Sequence, residues 1–558
     1  MAKLVECVPN FSEGRDRSII DSITSEISAV DGAELLDVDP GADTNRTVVT
    51  FVGTPEAVVE AAFRAIKRAS ELIDMAQHSG EHPRMGATDV CPFVPVSDIP
   101  IEECVELARV LGKRVGDELG IPVYLYEEAA TKPEWKSLAN IRKGEYEGLE
   151  EKLKDPAWKP DFGPSSFNKK SGATVIGVRE FLIAYNINLN TRDKKLAHRI
   201  ALRVRETGRS KRDENGKIVR DENGTAVKVP GTLDAVRAVG WFIEEYGCAQ
   251  LSMNLLNYRV TPVHAAFDEV CRQAEENGLR VTGSELVGLI PLEAVRSAGR
   301  HYLARQGKTV AVPDKELIDI AVMSLGLNEI TPFNPDEKII EYMIRPKDNK
   351  RLADLTVRDF TDEVSMDSPA PGGGTVSALT GSMGAALVAM VGALTSGKKG
   401  YEDRFDEMEK LGLEAQRLKD SLMADLDNDT DAFNRVMAAA RMKAKNPEEK
   451  ELKQQAVEEA TKLATLIPLG VLEHGFEVLK LAKTMVQRGN PNSMSDAGVG
   501  GIMAAAAAEG AYLNVLINLP GISDTDWIDR TRERAISTIR NIRKEREELM
   551  AIVERELS

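Results

Sequence analysis

The sequence has few of the residues that mark several large classes of protein. Cysteine accounts for five of 558 residues, all in the first half and none in a C-x-x-C pair, which is typical of reduced thiols in the cytoplasm. The formal net charge is -17 and no long basic run is present, so we expect no nucleic-acid partner. The N-terminus lacks the apolar segment of a signal peptide. We therefore expect a cytoplasmic protein that acts on small molecules.

Two common phosphate-binding signatures are also missing. No G-x-G-x-x-G follows a strand and opens a helix, which disfavours a dinucleotide-binding Rossmann domain. The glycine run "PAPGGGT" (369–375) feeds directly into a helical pattern, but no G-K-[ST] follows it, so it is not a P-loop. Its backbone N–H groups suit an anion at a helix N-terminus, and a simple flexible cap is the alternative.

One segment without charge, residues 368–397, is long enough to span a membrane. It consists mainly of Gly, Ala, Ser and Thr, and we expect no comparable segment beside it. Small residues allow helices to approach closely, so we predict a buried central helix of a bundle and no membrane partner.

The first half alternates strand and helix signals, and the second half is helical throughout. "VTFVG" (49–53) reads as a strand, and Thr54 with Pro55 predict the cap and first turn of a helix. Thr261 and Pro262 predict a second start of this kind. "FLIAYNINLN" (181–190) alternates apolar and polar residues, as a half-buried strand does. Two D-E-N-G turns in residues 208–231 predict an exposed hairpin or loop.

These patterns predict a multidomain chain that is α+β first and all-α afterwards. We expect two α/β sandwich lobes at 1–180 and 181–340, each with a mostly antiparallel or mixed sheet and helices on one face. A charged linker follows at 341–352, and a helical bundle occupies 353–558.

The stretch "HSGEHPRM" (78–85) has the spelling H-x-x-E-H of a zinc site, with His78, Glu81 and His82. Such a site needs a helix, and Gly80 and Pro83 oppose one. We therefore expect no metal here, a structural role for His78, and His82 as a lone acid/base residue or an ordinary hydrogen-bonding residue.

Polar loops that flank the predicted strands of the first half are candidates for one site. Asp39 is placed either to orient an imidazole or to form an Asp-Pro-Gly turn. A second loop offers backbone donors, hydroxyls and cations to an anionic ligand, although a mobile surface loop is the default. Its residues are Gly163, Pro164, Ser165, Ser166, Phe167, Asn168, Lys169, Lys170, Ser171 and Gly172.

The helical half carries a run of carboxylates in "ADLDNDTDAF" (424–433). The EF-hand pattern fails there, because it needs Gly at Thr430 and Glu at Val436. On a helix, one of these carboxylates can point into the bundle, where burial beside like charge raises its pKa and suits it to carry protons. The alternative is a solvated acidic face. The other candidates for this site are Gly372, Gly373, Gly374, Asp427 and Asp496.

Long segments resemble one family across almost the whole chain and in that family's order. They include "CVPNFSEGRD", "GEHPRMGATDVCPFVPV", "GATVIGVREFLIAYNINLNT", "TGSELVGLIPLEA", "APGGGTVSAL" and "GAYLNVLINL". In these segments the sequence resembles the bifunctional formiminotransferase-cyclodeaminases of histidine degradation. The resemblance implies that the first part transfers a formimino group between N-formimino-L-glutamate and tetrahydrofolate. The second part would cyclise 5-formiminotetrahydrofolate to 5,10-methenyltetrahydrofolate and release ammonia.

The resemblance also implies roles for particular residues. The transferase histidine falls on His82 with Asp39 as its partner, the folate-contacting stretch falls on 163–172, and the cyclodeaminase carboxylate falls on Asp429. Tetrahydrofolate, in a polyglutamylated form, is implied as a substrate, with no metal or redox cofactor. Family members assemble as ring-like homo-oligomers built from dimers.

Two segments depart from that family's pattern, and other functions stay open. "NKK" (168–170) differs from the expected residues, and 208–231 is longer than usual, so we expect contacts to the pterin and to the glutamate tail to differ from those of the family. A second hypothesis keeps one working site, with the other part as a folate-binding platform. A third is a metal-dependent hydrolase built on His78, Glu81 and His82. A scaffold without activity is the remaining alternative.

Overall fold

The computed structural model describes residues 3–42, 45–80, 83–244, 246–344 and 351–558. The chain divides into two compact units: residues 1–297 with 322–345, and residues 298–321 with 346–558. The predicted linker overlaps residues 345–350, which lie outside the described residues. A sheet-containing region followed by an all-helical region confirms the predicted fold class.

The first lobe of the first unit is built on a seven-stranded mixed sheet. Its main path is β1-β4-β2-β5-β7-β6, with β3 beside β4, and only the pairs of β7 with β5 and β6 are parallel. The strands are β1 (Leu4–Cys7), β2 (Asn10–Phe11), β3 (Ala33–Gly41), β4 (Arg46–Gly53), β5 (Thr88–Ser97), β6 (Val123–Glu127) and β7 (Thr174–Val178). The helices are α1 (Arg17–Ser28), α2 (Pro55–Leu72), α3 (Ile101–Leu119), α4 (Leu138–Arg142) and α5 (Leu149–Lys152).

Local sequence signals explain how β4 leads into α2. Val49 and Phe51 alternate with partly exposed residues and face the helices. The hydroxyl of Thr54 then accepts the N–H of Ala57 at 3.4 Å, and Pro55 is the first helical residue, which confirms the predicted helix start. Long helices cover one face of the sheet, while α4, α5 and their flanking turns cover part of the other face.

The second lobe has a four-stranded antiparallel sheet in the order β11-β12-β8-β13. The strands are β8 (Ile183–Leu189), β9 (Arg209–Ser210), β10 (Lys228–Val229), β11 (Val236–Ile243), β12 (Cys248–Leu255) and β13 (Val281–Val287). The helices are α6 (Lys194–Val204), α7 (Val263–Glu276), α8 (Leu292–Arg305), α9 (Asp314–Leu325), α10 (Pro335–Lys338) and α11 (Ile340–Met343). Parts of α8 and α9 belong to the second unit.

Two expectations for this lobe are wrong. Thr261 does not cap α7, because its hydroxyl donates to the carbonyl of Asp234 at 2.6 Å and the helix begins at Val263. Strand β8 is not half-buried, because Asn186 and Asn188 on its polar side are only 5% and 3% exposed. Alternation identified the strand, but burial of its polar side depends on distant residues.

The segment 208–231 is the exposed arm that its turns predict. In each turn an aspartate, Asp213 or Asp221, accepts two backbone N–H groups of the residues that follow. The short strands β9 and β10 pair at its base.

In the part of the chain that the structure describes, one short helix and five long helices form the second unit together with residues 298–321. The short helix is α12 (Val357–Val364), and the long ones are α13 (Gly373–Ser396), α14 (Phe405–Ala440), α15 (Pro447–Arg488), α16 (Met494–Asn518) and α17 (Thr525–Leu557). Helix α13 packs against α14, α15 and α16. A Cβ on Gly384 would lie 2.7 Å from the carbonyl oxygen of Gly500, so small residues permit this close packing, as predicted.

Two helical segments, 373–396 and 491–521, are apolar and long enough to cross a membrane by length and composition alone. The expectation that 368–397 is the only such segment is therefore wrong. More than half of the apolar window in α13 is buried inside the unit, at 56%, which agrees with its prediction as a central helix.

Candidate active sites

The structure gives His78 two well-defined contacts. Its Nε2 lies 3.0 Å from the carbonyl oxygen of Asn45, and its Nδ1 lies 3.2 Å from Nε of Arg84. These contacts fit a neutral ring that donates from Nε2 and accepts at Nδ1. Arg84 also pairs with Glu145 and Glu147. His78 therefore anchors the loop, as predicted, whereas Glu81 and His82 lie outside the described residues.

Asp39 is a strand residue. It lies opposite Val48 in the pairing of β3 with β4, and β3 continues to Gly41, so the Asp-Pro-Gly turn is wrong. Asp39 lies close enough to Arg46 to raise the pKa of that guanidinium, while burial and the nearby Arg142 lower it more. Asp39 thus borders a cluster of cations.

These cations line a cavity of about 790 Å³ between the two lobes of the first unit, here called the cationic cavity. Five positively charged side chains line it: Arg46, Lys136, Arg142, Arg179 and Arg237. Among the described residues that line it, Glu127 is the only carboxylate. Its volume is typical of a small-molecule site. The sequence did not predict this cavity, because its arginines come from four separate parts of the chain.

Arg142 is held in the cavity wall by a buried carboxylate. Its Nη2 donates to Asp89 in a short contact, and Asp89 is 1% exposed. The second carboxylate oxygen of Asp89 accepts the N–H of Met85 at 2.9 Å. Nε of Arg142 is buried and has no hydrogen-bond partner. The guanidinium therefore keeps donor capacity that no described residue uses.

The loop 163–172 lies beside the loop that contains His78. Gly172 bridges to Gly86, and a Cβ on Gly172 would lie 2.1 Å from the carbonyl oxygen of Met85. Its φ of +67° also favours glycine. Lys170 accepts the N–H of Met75 at 2.9 Å through its backbone oxygen. The structure therefore places this loop beside the described residues Met75, Met85 and Gly86.

Asp429 lies against the first turn of α13 in the second unit. The hydroxyl of Thr375 donates to its Oδ2 at 3.0 Å, and the backbone of Thr375 also contacts the carboxylate. A Cβ on Gly374 would lie 2.3 Å from Oδ1 of Asp429, so a side chain at position 374 would displace this carboxylate. Burial raises the pKa of Asp429, nearby Asp425 raises it further, and the contacts from Thr375 lower it.

The helix N-terminus that receives Asp429 is the one predicted from the glycine run. Gly372 is the N-cap residue and α13 begins at Gly373. The backbone oxygen of Gly373 accepts the hydroxyl of Ser377 at 2.7 Å. Thr375 stands in the same motif, but nothing local in the sequence indicates that it contacts a residue 54 positions later.

The structure separates the other two candidate carboxylates from Asp429. Asp427 accepts the N–H of Leu352 at 2.8 Å and faces the segment before α12. Asp496 is in the first turn of α16, which runs antiparallel to α13, because Gly373 is near Asn514 and Gly384 is near Gly500. Asp496 precedes Asn514 by 18 positions, about 27 Å along a helix axis. Of these three described carboxylates, Asp429 is the one that lies at the glycine run of its own chain.

Metal binding has no support from the described residues. Among them, no group of three or more His, Cys, Asp or Glu side chains is arranged to hold a metal ion. Asp425 and Asp429 lie within α14 rather than in a calcium-binding loop.

Three family models cover most of the chain. The Formiminotransferase domain, N-terminal subdomain, matches residues 4–179, the Formiminotransferase domain matches 184–345, and Formiminotransferase-cyclodeaminase matches 356–537. A Formimidoyltransferase-cyclodeaminase of Gallus gallus is 44% identical over 556 residues, which cover 100% of this chain and 99% of that protein.

Two shorter relatives match parts of the chain. A Glutamate formimidoyltransferase of Thermoplasma acidophilum is 47% identical and covers 54% of this chain and 93% of its own length. A Methenyltetrahydrofolate cyclohydrolase of Methylorubrum extorquens is 37% identical and covers 30% of this chain and 81% of its own length.

Proposed function

The chain belongs to the formiminotransferase-cyclodeaminase family, and we propose how its two units carry out the two reactions of a bifunctional folate enzyme. The first unit transfers the formimino group between N-formimino-L-glutamate and tetrahydrofolate. The second cyclises 5-formiminotetrahydrofolate to 5,10-methenyltetrahydrofolate with release of ammonia. The observation that carries this proposal is the pair of separate sites: a cationic cavity beside Asp39, and a partly buried Asp429 at a glycine-rich helix start.

The transfer step exchanges one C–N bond for another. N5 of tetrahydrofolate attacks the amidine carbon, and a tetrahedral intermediate forms. A proton then moves from N5 to the glutamate nitrogen, which leaves with the electron pair of its C–N bond. We assign that proton transfer to His82, with Asp39 orienting the ring. The loop 163–172, adjacent to the His78 loop, is assigned to folate binding.

The cyclisation needs a proton carrier of the kind that Asp429 provides. N10 attacks the carbon of the protonated formimino group, the N10 proton moves to the departing amino nitrogen, and ammonia leaves as the cationic methenyl bridge forms. A carboxylate with a raised pKa takes up and returns that proton near neutral pH. Hydrogen bonds from Thr375 fix its orientation. Both reactions move protons and exchange C–N bonds without transferring electrons, which supports an enzyme without a redox cofactor.

The test follows formation of 5,10-methenyltetrahydrofolate by its absorbance, starting from tetrahydrofolate and N-formimino-L-glutamate. Wild type should give product, and His82→Ala should give none until 5-formiminotetrahydrofolate is supplied. Asp429→Asn should release glutamate without forming the methenyl product. A wild-type protein that turns over neither substrate would overturn the proposal.

The assembly and location are proposed on separate grounds. Helix α13 exposes an apolar row, Val376, Met383, Met390 and Leu394, at helical spacing, and α16 exposes Leu513 and Ile517. We propose that a second copy covers these rows in a dimer, and that dimers form a ring-like homo-oligomer. Light scattering of wild type and Leu513→Glu tests this assembly.

The scattered free cysteines support a cytoplasmic location, which cell fractionation tests.

Polyglutamylated tetrahydrofolate is proposed as the natural substrate, since each added glutamate is an anion and the first unit has a strongly cationic cavity. Comparison of KM for the monoglutamate and the pentaglutamate tests this point. Equal values would show that the enzyme does not use the longer tail.

A further inference from the structure

We propose that Arg46, Arg142 and Arg237 clamp the two carboxylates of a glutamyl group in the cationic cavity and so select a dicarboxylate substrate. This inference rests on the proposed transferase function and names residues that recognise its substrate. Two substrates carry such a group, because N-formimino-L-glutamate is a glutamyl compound and tetrahydrofolate ends in glutamate. The shared ligand chemistry is the dicarboxylate, and the experiments below distinguish its two sources.

The charge of the cavity favours an anionic ligand. Five cations line it, and the described carboxylates near them include Glu127 in the wall, Asp89 on Arg142, Asp39 near Arg46 and Glu6 near Arg179. The cations that line the cavity therefore outnumber these carboxylates. Like charges held together in a partly buried site repel strongly, because the effective dielectric constant there is well below that of water. A dicarboxylate removes this repulsion, and a neutral ligand does not.

The cations fall into two groups, one for each carboxylate of the ligand. Arg46 and Arg142 are close enough to influence each other, and both lie near Asp89. Arg179, Arg237 and Lys136 surround Glu127, since each of the three lowers the pKa of that carboxyl group. Arg237 belongs to the second lobe, and the other four cations belong to the first. A ligand that contacts both groups therefore joins the two lobes.

Arg142 is built to receive an anion rather than to form a simple surface ion pair. Asp89 fixes its orientation from behind, and Asp89 is itself held by the N–H of Met85. The unpartnered Nε–H lies in a residue that lines the cavity. A buried donor without a partner is costly, and a carboxylate is the group that a guanidinium binds through two parallel hydrogen bonds. The ligand carboxylate would bind the guanidinium donors that Asp89 leaves free.

The experiment measures KM for each substrate with wild type, Arg142→Gln, Arg237→Gln and the control Arg209→Gln. Arg209 is exposed on the arm and lies outside the cavity. Arg237 is exposed and forms no salt bridge with any carboxylate that the structure describes, so its variant remains informative if Arg142→Gln fails to fold. If N-formimino-L-glutamate supplies the dicarboxylate, its KM rises about 10- to 100-fold in the cavity variants, while KM for tetrahydrofolate and kcat stay near wild type.

Two substrate analogues identify which substrate supplies the carboxylates that the cavity binds. N-formimino-L-glutamine removes one negative charge from the first substrate, and tetrahydropteroate lacks the glutamate of the second. Wild type should discriminate strongly against one of them, and the cavity variants should lose that discrimination. If tetrahydrofolate is the source, its KM rises in the variants, while KM for tetrahydropteroate and for N-formimino-L-glutamate does not change.

Unchanged KM values for both substrates in Arg237→Gln would overturn the clamp, as would wild-type discrimination against neither analogue. An inactive wild type would contradict the proposed function instead. Calorimetric titration of the same proteins with each substrate tests the clamp without turnover. Weaker binding only in the cavity variants supports the clamp, and equal binding in all variants overturns it.

Discussion

The hydroxyl of Thr375 lies 3.0 Å from the carboxylate of Asp429, although 54 positions separate the two residues. This contact places a carboxyl group with a raised pKa at the first turn of a glycine-rich helix. It fixes which carboxylate of the 424–433 run faces that turn. We therefore expect small changes at Asp429, or at the glycines beside it, to alter cyclodeaminase activity.

Replacing Asp429 with Asn should separate the two activities. The amide keeps the shape of the side chain but cannot carry a proton, and loss of a general acid/base group costs about 10²- to 10⁴-fold in rate. We expect cyclodeaminase kcat to fall by this factor and transferase activity to stay near wild type. The measurement is accumulation of 5-formiminotetrahydrofolate with release of glutamate.

Asp427→Asn is the matched control, because it alters a neighbouring carboxylate that holds Leu352 instead. It should lower stability slightly and leave cyclodeaminase kcat within a few-fold of wild type. Equal loss of activity in both variants would contradict the assignment of Asp429.

Two adjacent glycines should respond very differently to alanine. A Cβ at Gly374 would meet Asp429 at 2.3 Å, whereas a Cβ at Gly373 would meet Asn514 at 3.4 Å, an ordinary contact. Gly374→Ala should therefore displace the carboxylate and reduce cyclodeaminase activity. Gly373→Ala should be tolerated, since alanine favours a helix by about 1 kcal/mol over glycine. Activity assays and thermal unfolding of both variants check this, and equal behaviour would show that the close approach is unimportant.

The sequence predicted the parts of this protein that depend on neighbouring residues. Thr54 and Pro55 start α2, the glycine run starts α13, and the paired D-E-N-G turns shape the exposed arm, because each depends on residues a few positions apart. Thr261 resembles Thr54 locally, but a backbone carbonyl from a distant loop takes its hydroxyl.

The cationic cavity shows the limit of local patterns. Arg46, Arg142, Arg179 and Arg237 occupy separate elements, and no spacing rule connects them. Only the packing of β4, α4, the end of β7 and β11 brings them together. In the sequence, Asp89 likewise looks like part of a polar loop. Its contact with Arg142, 53 positions away, is evident only from the structure.

Breaking the pair of Asp89 and Arg142 should destabilise the first unit. Asp89 is 1% exposed, so replacing it with Ala leaves the guanidinium of Arg142 without its buried partner. Loss of one partner of a buried ion pair typically costs about 3–5 kcal/mol. We expect a lower free energy of unfolding in urea for Asp89→Ala. The control Glu106→Ala removes an exposed partner of Arg109 and should change stability by less than about 1 kcal/mol. Similar losses in the two variants would contradict this account.

Glu6 should make the stability of the first unit fall as pH rises. It is 5% exposed, and burial raises its pKa from 4.5 to about 7, although Arg179 opposes the shift. Between these two values the folded state binds more protons than the unfolded state, so the free energy of unfolding decreases with increasing pH and then levels off above about 7. A shift of this size corresponds to about 3 kcal/mol.

Glu6→Gln imitates the protonated group and removes the titration. The variant should therefore match wild type near pH 4.5 and exceed its stability near pH 8, as measured by urea unfolding followed by tryptophan fluorescence. The exposed Glu103, paired with Lys3, provides the control Glu103→Gln, which should show no such pH-dependent gain. A constant difference between Glu6→Gln and wild type across this range would show that Glu6 stays ionised in the folded protein.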